Sequence, residues 1–307
     1  MNEVKKIDNT ATRTAFIAIV GRPNVGKSTL MNAMLGEKVA IVSSKPQTTR
    51  NRITGILTEG GDQLVFLDTP GIHKPKNKLG AYMMKSVSSA IGGADAVIMI
   101  VEAGYPAGET EKRIIENIKD MKLPAILVLN KIDLVNKEKL AETITEYAAL
   151  HDFDAFVPTA AEKGKNVEIV LEEAKRYLSE GAWFFPSDIA TDQPERQIAA
   201  EVIREKILRT LTEEIPHGTA VVIEEFKDEG TLISIRAEIF CEKASHKGII
   251  VGKKGETLKR IGTHAREDLE AFFGVKVYLN LWVKVKEKWR DSDTSLNNFG
   301  FNPKDLT

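Results

Sequence analysis

The chain has 307 residues, more than one ordinary domain needs, which favours two domains. Hydrophobic residues make up 42% of it and charged residues 28%, a balance that is typical of globular proteins and excludes disordered, collagen-like and membrane-embedded classes. With 43 basic and 44 acidic side chains the net charge is −1. A uniformly basic coat for nucleic acid is therefore excluded, whereas a local basic face is not.

Cysteine content and the N-terminal sequence bear on the compartment. The single cysteine, Cys241, cannot form an internal disulfide, which indicates a reducing compartment, and with five histidines it disfavours a structural zinc site. The first ten residues, MNEVKKIDNT, lack the apolar core of a signal peptide. The longest apolar runs, such as AVIMIV at 96–101, are too short to span a bilayer. We therefore expect a soluble cytoplasmic protein.

Strand and helix patterns alternate from residue 15 to about residue 181. Continuous apolar runs indicate strands that are buried on both faces, namely AFIAIV (15–20), QLVFLD (63–68), DAVIMIV (95–101), PAILVLN (124–130) and FDAFVP (153–158). Helical spacing marks segments between them, for example 30–35, 112–121 and 140–150. The alternation predicts an α/β domain with a mostly parallel sheet and helices on both faces. TEGGDQ at 58–63 predicts a hairpin.

A second, α+β domain is predicted after a break in this pattern. We expect a first domain over 1–181, a linker over 182–194 and a second domain over 195–290, with a polar and mobile tail over 291–307. In the second domain a helix is followed by two alternating strands, two helices and a last strand over 275–285, the order αββααβ.

The linker carries three aromatic residues, Trp183, Phe184 and Phe185, which we expect to pack at the junction of the domains. Asp192 with Glu195 three residues later resembles a helix-capping pair, so the first helix of the second domain is predicted to begin there.

A phosphate-binding motif follows the first strand. The residues are Gly21, Arg22, Pro23, Asn24, Val25, Gly26, Lys27 and Ser28, which fit G-x-x-x-x-G-K-[ST] between a strand and a helix. In such a loop, backbone N–H groups and the helix N-terminus point at the anion. We expect Lys27 to reach the β- and γ-phosphates and the Ser28 hydroxyl to ligate Mg²⁺.

A second motif, Asp68-Thr69-Pro70-Gly71, ends the strand 63–68. A carboxylate at the tip of a strand suits the Mg²⁺ side of a nucleotide site, so Asp68 is a predicted metal ligand with Ser28. Gly71 has no side chain to keep its N–H from a γ-phosphate. Ile72, the next residue, is included in the predicted nucleotide site.

A third motif, Asn130-Lys131-Ile132-Asp133, predicts that the base is guanine. An ionised Asp133 accepts hydrogen bonds only, and guanine offers two adjacent donors where adenine does not. A site of this design can discriminate by roughly 10⁴ or more. Thr159-Ala160-Ala161 is expected to supply backbone N–H groups to the guanine oxygen, although Ser-Ala is usual at this point in GTPases.

The polar segment 43–50 lies between a predicted helix and a predicted strand. We expect Thr49, with Thr48 as the alternative, to complete the Mg²⁺ shell when the γ-phosphate is present, which makes the loop a switch. A plain solvent-exposed loop is the competing interpretation.

The second domain contains Gly252-Lys253-Lys254-Gly255 between two helices, which matches the GXXG turn of a KH domain. The glycines let the backbone contact phosphates of a single strand. The predicted contacts are Ile250, Gly252, Lys253, Lys254, Gly255, Leu258, Lys259 and Arg260. The apolar groove wall is expected to consist of Ile249, Ile250, Leu258 and Ile261. The charge distribution also favours RNA binding by this part of the domain. Residues 195–242 include six basic and eleven acidic side chains, whereas residues 243–290 include twelve basic and five acidic ones.

Together NVGKS, QTTR, DTPG and NKID resemble the Era/TrmE/EngA group of GTPases, and the second domain narrows the resemblance to the Era family over about 13–300. The resemblance implies GTP and GDP as ligands with Mg²⁺, and binding to the 3′ end of 16S ribosomal RNA and to the assembling 30S subunit. It also implies peripheral association with the cytoplasmic face of the membrane, for which we find no strong amphipathic anchor. A monomer is expected.

Hydrolysis needs a group that positions water. Ras-type GTPases place a Gln directly after this second motif, where the chain has Ile72, so slow intrinsic turnover is expected. His73 is the nearest polar candidate. Related GTPases use an asparagine at the position of Asn24 to hold K⁺ beside the phosphates, which would stabilise developing charge. Lys27, Asn24, Thr49 and Gly71 are therefore the predicted catalytic groups.

Two other functions fit the same residues. One is an RNA-binding scaffold that holds nucleotide only as a structural ligand, which multiple-turnover hydrolysis would exclude. The other is a membrane-linked cell-cycle GTPase whose second domain binds protein, which RNA crosslinking would exclude. The leading hypothesis is a GTPase switch in 30S assembly.

Overall fold

The computed structural model describes residues 12–306. The predictions that fall on residues 1–11 and on Thr307, including the start of the first domain, lie outside the described residues.

The first domain is built on one twisted sheet with the strand order β2-β3-β1-β4-β5-β6. Its strands are β1 (Arg13–Val20), β2 (Ile53–Glu59), β3 (Asp62–Asp68), β4 (Ala96–Glu102), β5 (Ala125–Asn130), β6 (Ala155–Pro158) and β7 (Ser179–Glu180). Its helices are α1 (Lys27–Leu35), α2 (Lys78–Gly92), α3 (Glu109–Met121), α4 (Lys137–Leu150) and α5 (Val167–Lys175).

The sheet is parallel except at two places. The hairpin of β2 and β3 is antiparallel, and the short β7 pairs antiparallel with the start of β1. Every residue of β5 is buried, because helices cover both faces, as the continuous apolar runs predict. The predicted mostly parallel α/β sheet is thus confirmed.

Sheet topology decides where the motifs meet. The loops after β1, β3, β5 and β6 all leave the carboxyl edge of the sheet, which in open α/β sheets is the edge where ligands bind. The segments 21–28, 68–72, 130–133 and 159–161 therefore lie at one edge.

The linker aromatics contact the first domain and not a junction between domains. The Phe184 ring packs edge-on against Phe16 with centroids 4.9 Å apart, and Trp183 Nε1 donates to the carbonyl of Gly61 at 3.0 Å. The backbone N–H groups of Phe184 and Phe185 both donate to Gln63. The expectation of a junction was wrong because the segment runs along the sheet before it enters the second domain.

The second domain has the predicted order αββααβ. It consists of α6 (Glu195–Thr210), β8 (Ala220–Asp228), β9 (Leu232–Cys241), α7 (Ala244–Val251), α8 (Glu256–Phe273) and β10 (Lys276–Val285). The sheet has the order β10-β9-β8, with β10 parallel to β9. Among residues 12–306, none of the helices is long and apolar enough to cross a bilayer.

The predicted cap of α6 is wrong. The residue before the helix is Pro194, and no side chain caps the first turn. Proline has a fixed φ that suits a helix entrance, so Asp192 is not needed there.

The C-terminal segment is folded, contrary to the expected mobile tail. A ninth helix, α9 (Asp293–Asn298), buries Leu296, and Phe301 is buried beyond it. Both pack with Trp289 in a cluster that includes Leu79 and Met83 of α2. Sparse apolar residues in a polar segment gave no periodic signal, yet each of them finds a place in this cluster.

Candidate nucleotide site and RNA-facing groove

A cleft of about 540 Å³ lies at the carboxyl edge of the first sheet. All of the predicted nucleotide motifs border it. Its lining includes Pro23, Asn24, Gly26, Lys27, Ser28, Thr49, Gly71, Asn130, Lys131, Asp133, Ala160 and Ala161, together with residues 41–44.

The lysine of the phosphate loop is buried, with 6% of its surface exposed. The Lys27 Nζ donates to the loop's own carbonyls, Arg22 O at 2.9 Å and Gly21 O at 3.3 Å. Burial lowers the pKa of Lys27 to about 8, an effect that the nearby Asp68 opposes. The Lys27 ammonium is bound by neutral carbonyl oxygens, so it can exchange them for a phosphate oxygen at little cost in free energy.

Three oxygen-bearing side chains meet beside Lys27. Ser28 Oγ donates to Asp68 Oδ2 at 2.6 Å, and Thr49 Oγ1 lies 3.0 Å from Ser28 Oγ and 3.3 Å from Asp68 Oδ2. Thr48 instead donates to the carbonyl of Lys45 at 2.6 Å within its own loop. Of the two threonines, only Thr49 reaches the oxygens of Ser28 and Asp68 among residues 12–306.

This trio fits a hard divalent cation. The Asp68 carboxyl is completely buried, its Oδ1 has no hydrogen-bond partner among residues 12–306, and burial raises its pKa against the opposing charge of Lys27. A buried carboxylate with an unused oxygen beside two hydroxyls is the oxygen-only donor set that Mg²⁺ prefers.

The second motif lies directly against the phosphate loop. Thr69 Oγ1 donates to Ile19 O at 2.7 Å, and Thr69 and Pro70 are buried. The Ile72 N–H donates to Gly21 O at 3.1 Å. A Cβ on Gly71 would lie 2.7 Å from Pro23, so only glycine fits this approach. Ile72 itself packs in the apolar core near α3 and offers no polar atom to the cleft.

Asn130 connects three loops. Its Nδ2 donates to Val25 O at 2.8 Å, and its Oδ1 accepts from the Ala161 N–H at 3.0 Å and from Thr159 Oγ1 at 3.1 Å. The Thr at 159 is therefore no defect, because its hydroxyl joins the loop after β6 to the loop after β5. Asn130 thus connects the phosphate loop to the loops after β5 and β6.

The predicted base-reading residues are accessible. Asp133 pairs with Lys163 at 2.8 Å, which lowers the pKa of the carboxyl, and 26% of its side chain is exposed. Lys131 pairs with Glu102 at 2.8 Å, and the Ile132 N–H donates to Thr159 O. Sequence reasoning missed the Lys163 partner, which no motif marks.

The hydrolysis candidates have different surroundings. Asn24 Nδ2 donates to Ser44 O at 2.7 Å, so the segment 43–50 lies over the phosphate loop. The Asn24 amide oxygen accepts no hydrogen bond from residues 12–306 and is available to another ligand. His73 Nδ1 lies 2.8 Å from the carbonyl of Gly71 and is occupied locally.

Sequence reasoning also missed a support of the phosphate loop. Arg22 forms an ion pair with Glu111 of α3, whose side chain is 2% exposed. Glu111 additionally accepts from the Gly108 N–H at 3.1 Å at the start of α3. No spacing in the sequence relates positions 22 and 111.

The GKKG turn is confirmed in shape between α7 and α8. Gly252 has φ 73° and ψ 177°, and a Cβ there would lie 2.2 Å from Thr257 Oγ1. The side chains of Lys253 and Lys254 are exposed, as are those of Lys259 and Arg260. The turn therefore presents its charges to solvent.

A groove of about 450 Å³ runs from this turn along α8 to the edge strand β10. Leu258, Lys259 and Arg266 line one side, and Tyr278 lies on the other. Ile250 and Ile261 are completely buried in the core, so the prediction that they form the groove wall is wrong. Their helical positions face the sheet instead of the groove.

A phosphate loop, a buried oxygen trio and an Asn-x-x-Asp loop at one sheet edge, joined to an αββααβ domain, define the class of P-loop GTPases with a KH domain. Family models agree, since residues 16–131 match the 50S ribosome-binding GTPase family and residues 214–290 match the KH domain family.

Individual relatives narrow the class. The chain is 49% identical to GTPase Era of Ruminiclostridium cellulolyticum, over 94% of this chain and 97% of that protein, and 51% identical to GTPase Era of Clostridium botulinum strain Hall, over 94% and 98%. The chain therefore belongs to the Era family of GTPases.

Solved structures agree with the fold over both domains. A variant of Era from Aquifex aeolicus, bound to GDP·AlF4⁻, superposes with a TM-score of 0.91 at 39% identity, covering 95% of this chain and 100% of that one. A structure of Era with MgGDPNP and nucleotides 1506–1542 of 16S ribosomal RNA has the same score and identity, covering 95% and 99%.

Proposed function

We propose that the cleft binds GTP with Mg²⁺, that its nucleotide state is set by hydrolysis, and that the second domain binds the 3′ end of 16S ribosomal RNA during assembly of the 30S subunit. The observation that carries the proposal is the meeting of Ser28, Thr49 and Asp68 beside Lys27, because it joins a switch loop to a phosphate site. The Era structure with MgGDPNP and 16S RNA supports the same ligands.

The chain's own groups divide the work at the phosphates. Lys27 leaves the carbonyls of Gly21 and Arg22 to bind the β- and γ-phosphates, while Ser28, Thr49 and Asp68 hold Mg²⁺. Mg²⁺ supplies charge neutralisation at the transferring phosphate. The Gly71 N–H reaches the γ-phosphate because glycine has no side chain to stand between them.

Base recognition falls to the loops that Asn130 joins. Asp133 accepts from the two donors of guanine and shares its charge with Lys163. Ala160 and Ala161 offer N–H groups to the guanine oxygen, and the stem of Lys131 covers one face of the base. The Asp133 carboxylate is ionised at neutral pH and can only accept hydrogen bonds. Adenine has no pair of donors to offer it, so guanine is preferred.

Hydrolysis is expected to be slow without a further cation. Ile72 cannot orient water, and Asn24 has a free oxygen beside the phosphate loop while its amide binds Ser44. We therefore assign Asn24 to a K⁺ site that includes carbonyls of the loop 43–50.

The RNA-binding part of the proposal rests on the GKKG turn and the groove beside it. Exposed Lys253 and Lys254 neutralise phosphates, and bases of a single strand lie against Leu258 and the edge of β10. Ile250 supports the turn from the core.

The proposal includes domain limits and location. We assign 1–181 to the GTPase domain, 182–194 to the linker and 195–290 to the KH domain. The segment 291–307 follows, and its described part is packed on α2. We place the protein in the cytoplasm as a monomer, and peripheral association with the membrane follows from the family resemblance alone.

The guanine assignment predicts a reversal of nucleotide preference. Asp133→Asn places an amide donor opposite position 2 of the base, where xanthine has a carbonyl and guanine an amino group. The variant should lose GTP affinity and gain XTP affinity, measured by titration with fluorescent nucleotides. Lys163→Ala is the matched control and should keep the preference for GTP. Unchanged GTP affinity in Asp133→Asn would show that this loop does not read the base.

The potassium assignment predicts a salt effect on turnover. Wild-type hydrolysis should be faster in KCl than in NaCl at equal ionic strength, and Asn24→Ala should abolish the difference while GDP affinity stays unchanged. Phosphate release under multiple turnover measures the hydrolysis rates of wild type and variant in the two salts, and nucleotide titration measures GDP affinity. Equal wild-type rates in the two salts would refute the K⁺ site.

The RNA assignment predicts a weaker and less salt-sensitive complex. Lys253→Asp with Lys254→Asp removes at least two phosphate contacts, so the salt slope for a 16S 3′-end oligonucleotide should fall by about 1.4. The turn keeps both glycines, so circular dichroism and GTP binding should be unchanged.

A control variant separates this turn from a general charge effect. Lys112→Asp with Arg113→Asp makes the same change in charge at exposed positions of α3, in the first domain and away from the groove. It should keep the wild-type slope. Unchanged RNA affinity in the folded turn variant would mean that the turn does not contact RNA.

A further inference from the structure

Thr49 and Arg50 are neighbours in sequence whose side chains enter different domains. Thr49 Oγ1 lies at the oxygen trio, 3.0 Å from Ser28 Oγ. The Arg50 side chain is buried, with 1% exposed, and it contacts Thr219 and Trp289 of the second domain. The position of Thr49 is expected for a Mg²⁺-binding QTTR motif, whereas the contacts of Arg50 are not.

The guanidinium of Arg50 binds the turn that precedes β8. Nη1 donates to Thr219 O at 2.6 Å and Nη2 to His217 O at 2.9 Å. Trp289 lies with its ring centroid 5.8 Å from the guanidinium carbon and donates from Nε1 to Gly218 O at 2.9 Å. A planar fork can reach both carbonyls and also face the ring, which a lysine cannot do.

Contacts with both domains hold the residues on the two sides of Thr49. Arg204 of α6 donates to the carbonyls of Gln47 and Thr48. On the other side, Asn51 accepts from the Tyr82 hydroxyl of α2 at 3.0 Å. The position of the Thr49 hydroxyl therefore depends on contacts outside the nucleotide cleft.

We propose that Arg50 is a positioning residue, which holds the Thr49 hydroxyl in the Mg²⁺ site only while the KH domain is docked against the loop 43–50. This inference rests on the proposed function of the cleft and adds a residue that the nucleotide motifs do not assign. Adjacent Cα atoms are about 3.8 Å apart, so a backbone shift that carries Arg50 away from its carbonyls also moves Thr49. The two sites are thereby connected through one peptide unit.

The test compares Arg50→Ala with Arg52→Ala, an exposed arginine two residues further along the chain. Affinities for Mg·GDP and for a non-hydrolysable Mg·GTP analogue are measured on the full chain by calorimetry, over a range of Mg²⁺ concentrations. Thr49 matters only when the γ-phosphate is present, so Arg50→Ala should weaken analogue binding about 10-fold or more and raise its Mg²⁺ requirement. GDP affinity should change less than about twofold.

Two further outcomes are informative. Arg50→Lys should fall between wild type and Arg50→Ala, because an ammonium lacks the planar fork that reaches both carbonyls and faces the Trp289 ring. A merely structural role for Arg50 would weaken GDP and analogue binding alike. An unchanged analogue-to-GDP ratio in folded Arg50→Ala, or an equal shift in Arg52→Ala, would overturn the inference.

A second measurement does not require the Arg50 variants to fold. With Trp183→Phe and Trp282→Phe, Trp289 is the only tryptophan in the chain. Its fluorescence should differ between the Mg·GDP and Mg·GTP-analogue complexes, because the guanidinium over its ring moves with Thr49. Identical spectra would overturn the inference. Failure of the wild-type chain to bind either nucleotide would instead refute the proposed function.

Discussion

The loop 43–50, with the residues from Lys38 that lead into it, is part of the GTPase domain in sequence. Its residues contact both domains. On one side, Thr49 and Asn24 connect it to the phosphate loop. On the other side, Arg50 enters the second domain. Because one short segment serves both sides, it cannot move relative to the phosphates without changing its contacts with the KH domain. The arrangement of the two domains depends on this constraint.

Charged contacts surround the loop where it meets α6. Glu205 is completely buried and accepts from Lys38 at 2.7 Å and from the Val42 N–H at 3.0 Å. Burial opposes ionisation, yet these donors keep the pKa of Glu205 below its usual value. A carboxyl whose pKa is lowered on folding stabilises the folded state above its unfolded pKa. This contribution is lost as the pH falls through the folded pKa.

Such a buried cluster defines geometry more than it adds stability. Desolvation offsets much of the attraction between buried charges, whereas removal of a single partner costs about 3–5 kcal/mol. The contacts of Glu205 and Arg204 therefore favour one docked arrangement over near alternatives. A ligand can shift that arrangement only by binding one state better than the other. The role proposed for Thr49 gives the γ-phosphate such a preference.

The sequence predicted what depends on local pattern. Continuous apolar runs marked the strands, and parallel strands bring their carboxyl ends to one edge, so the motifs of the cleft had to meet. Lys163, Glu111 and the contacts of Arg50 escaped prediction because each depends on a distant partner that no spacing reveals. Ile250 was misplaced because the pattern shows that a helix has an apolar face but not whether that face meets the core or a groove. The packed C-terminal segment lacked periodicity altogether.

The central claim is that nucleotide and RNA sites are coupled through the docked loop, and coupling in binding must be reciprocal. The most direct measurement is the affinity for a Mg·GTP analogue with and without saturating 16S 3′-end RNA, together with the affinity for that RNA in the analogue-bound and nucleotide-free states. The account predicts that RNA changes analogue affinity by a factor that differs from one, and that the analogue changes RNA affinity by the same factor. Factors of one in both directions would contradict it.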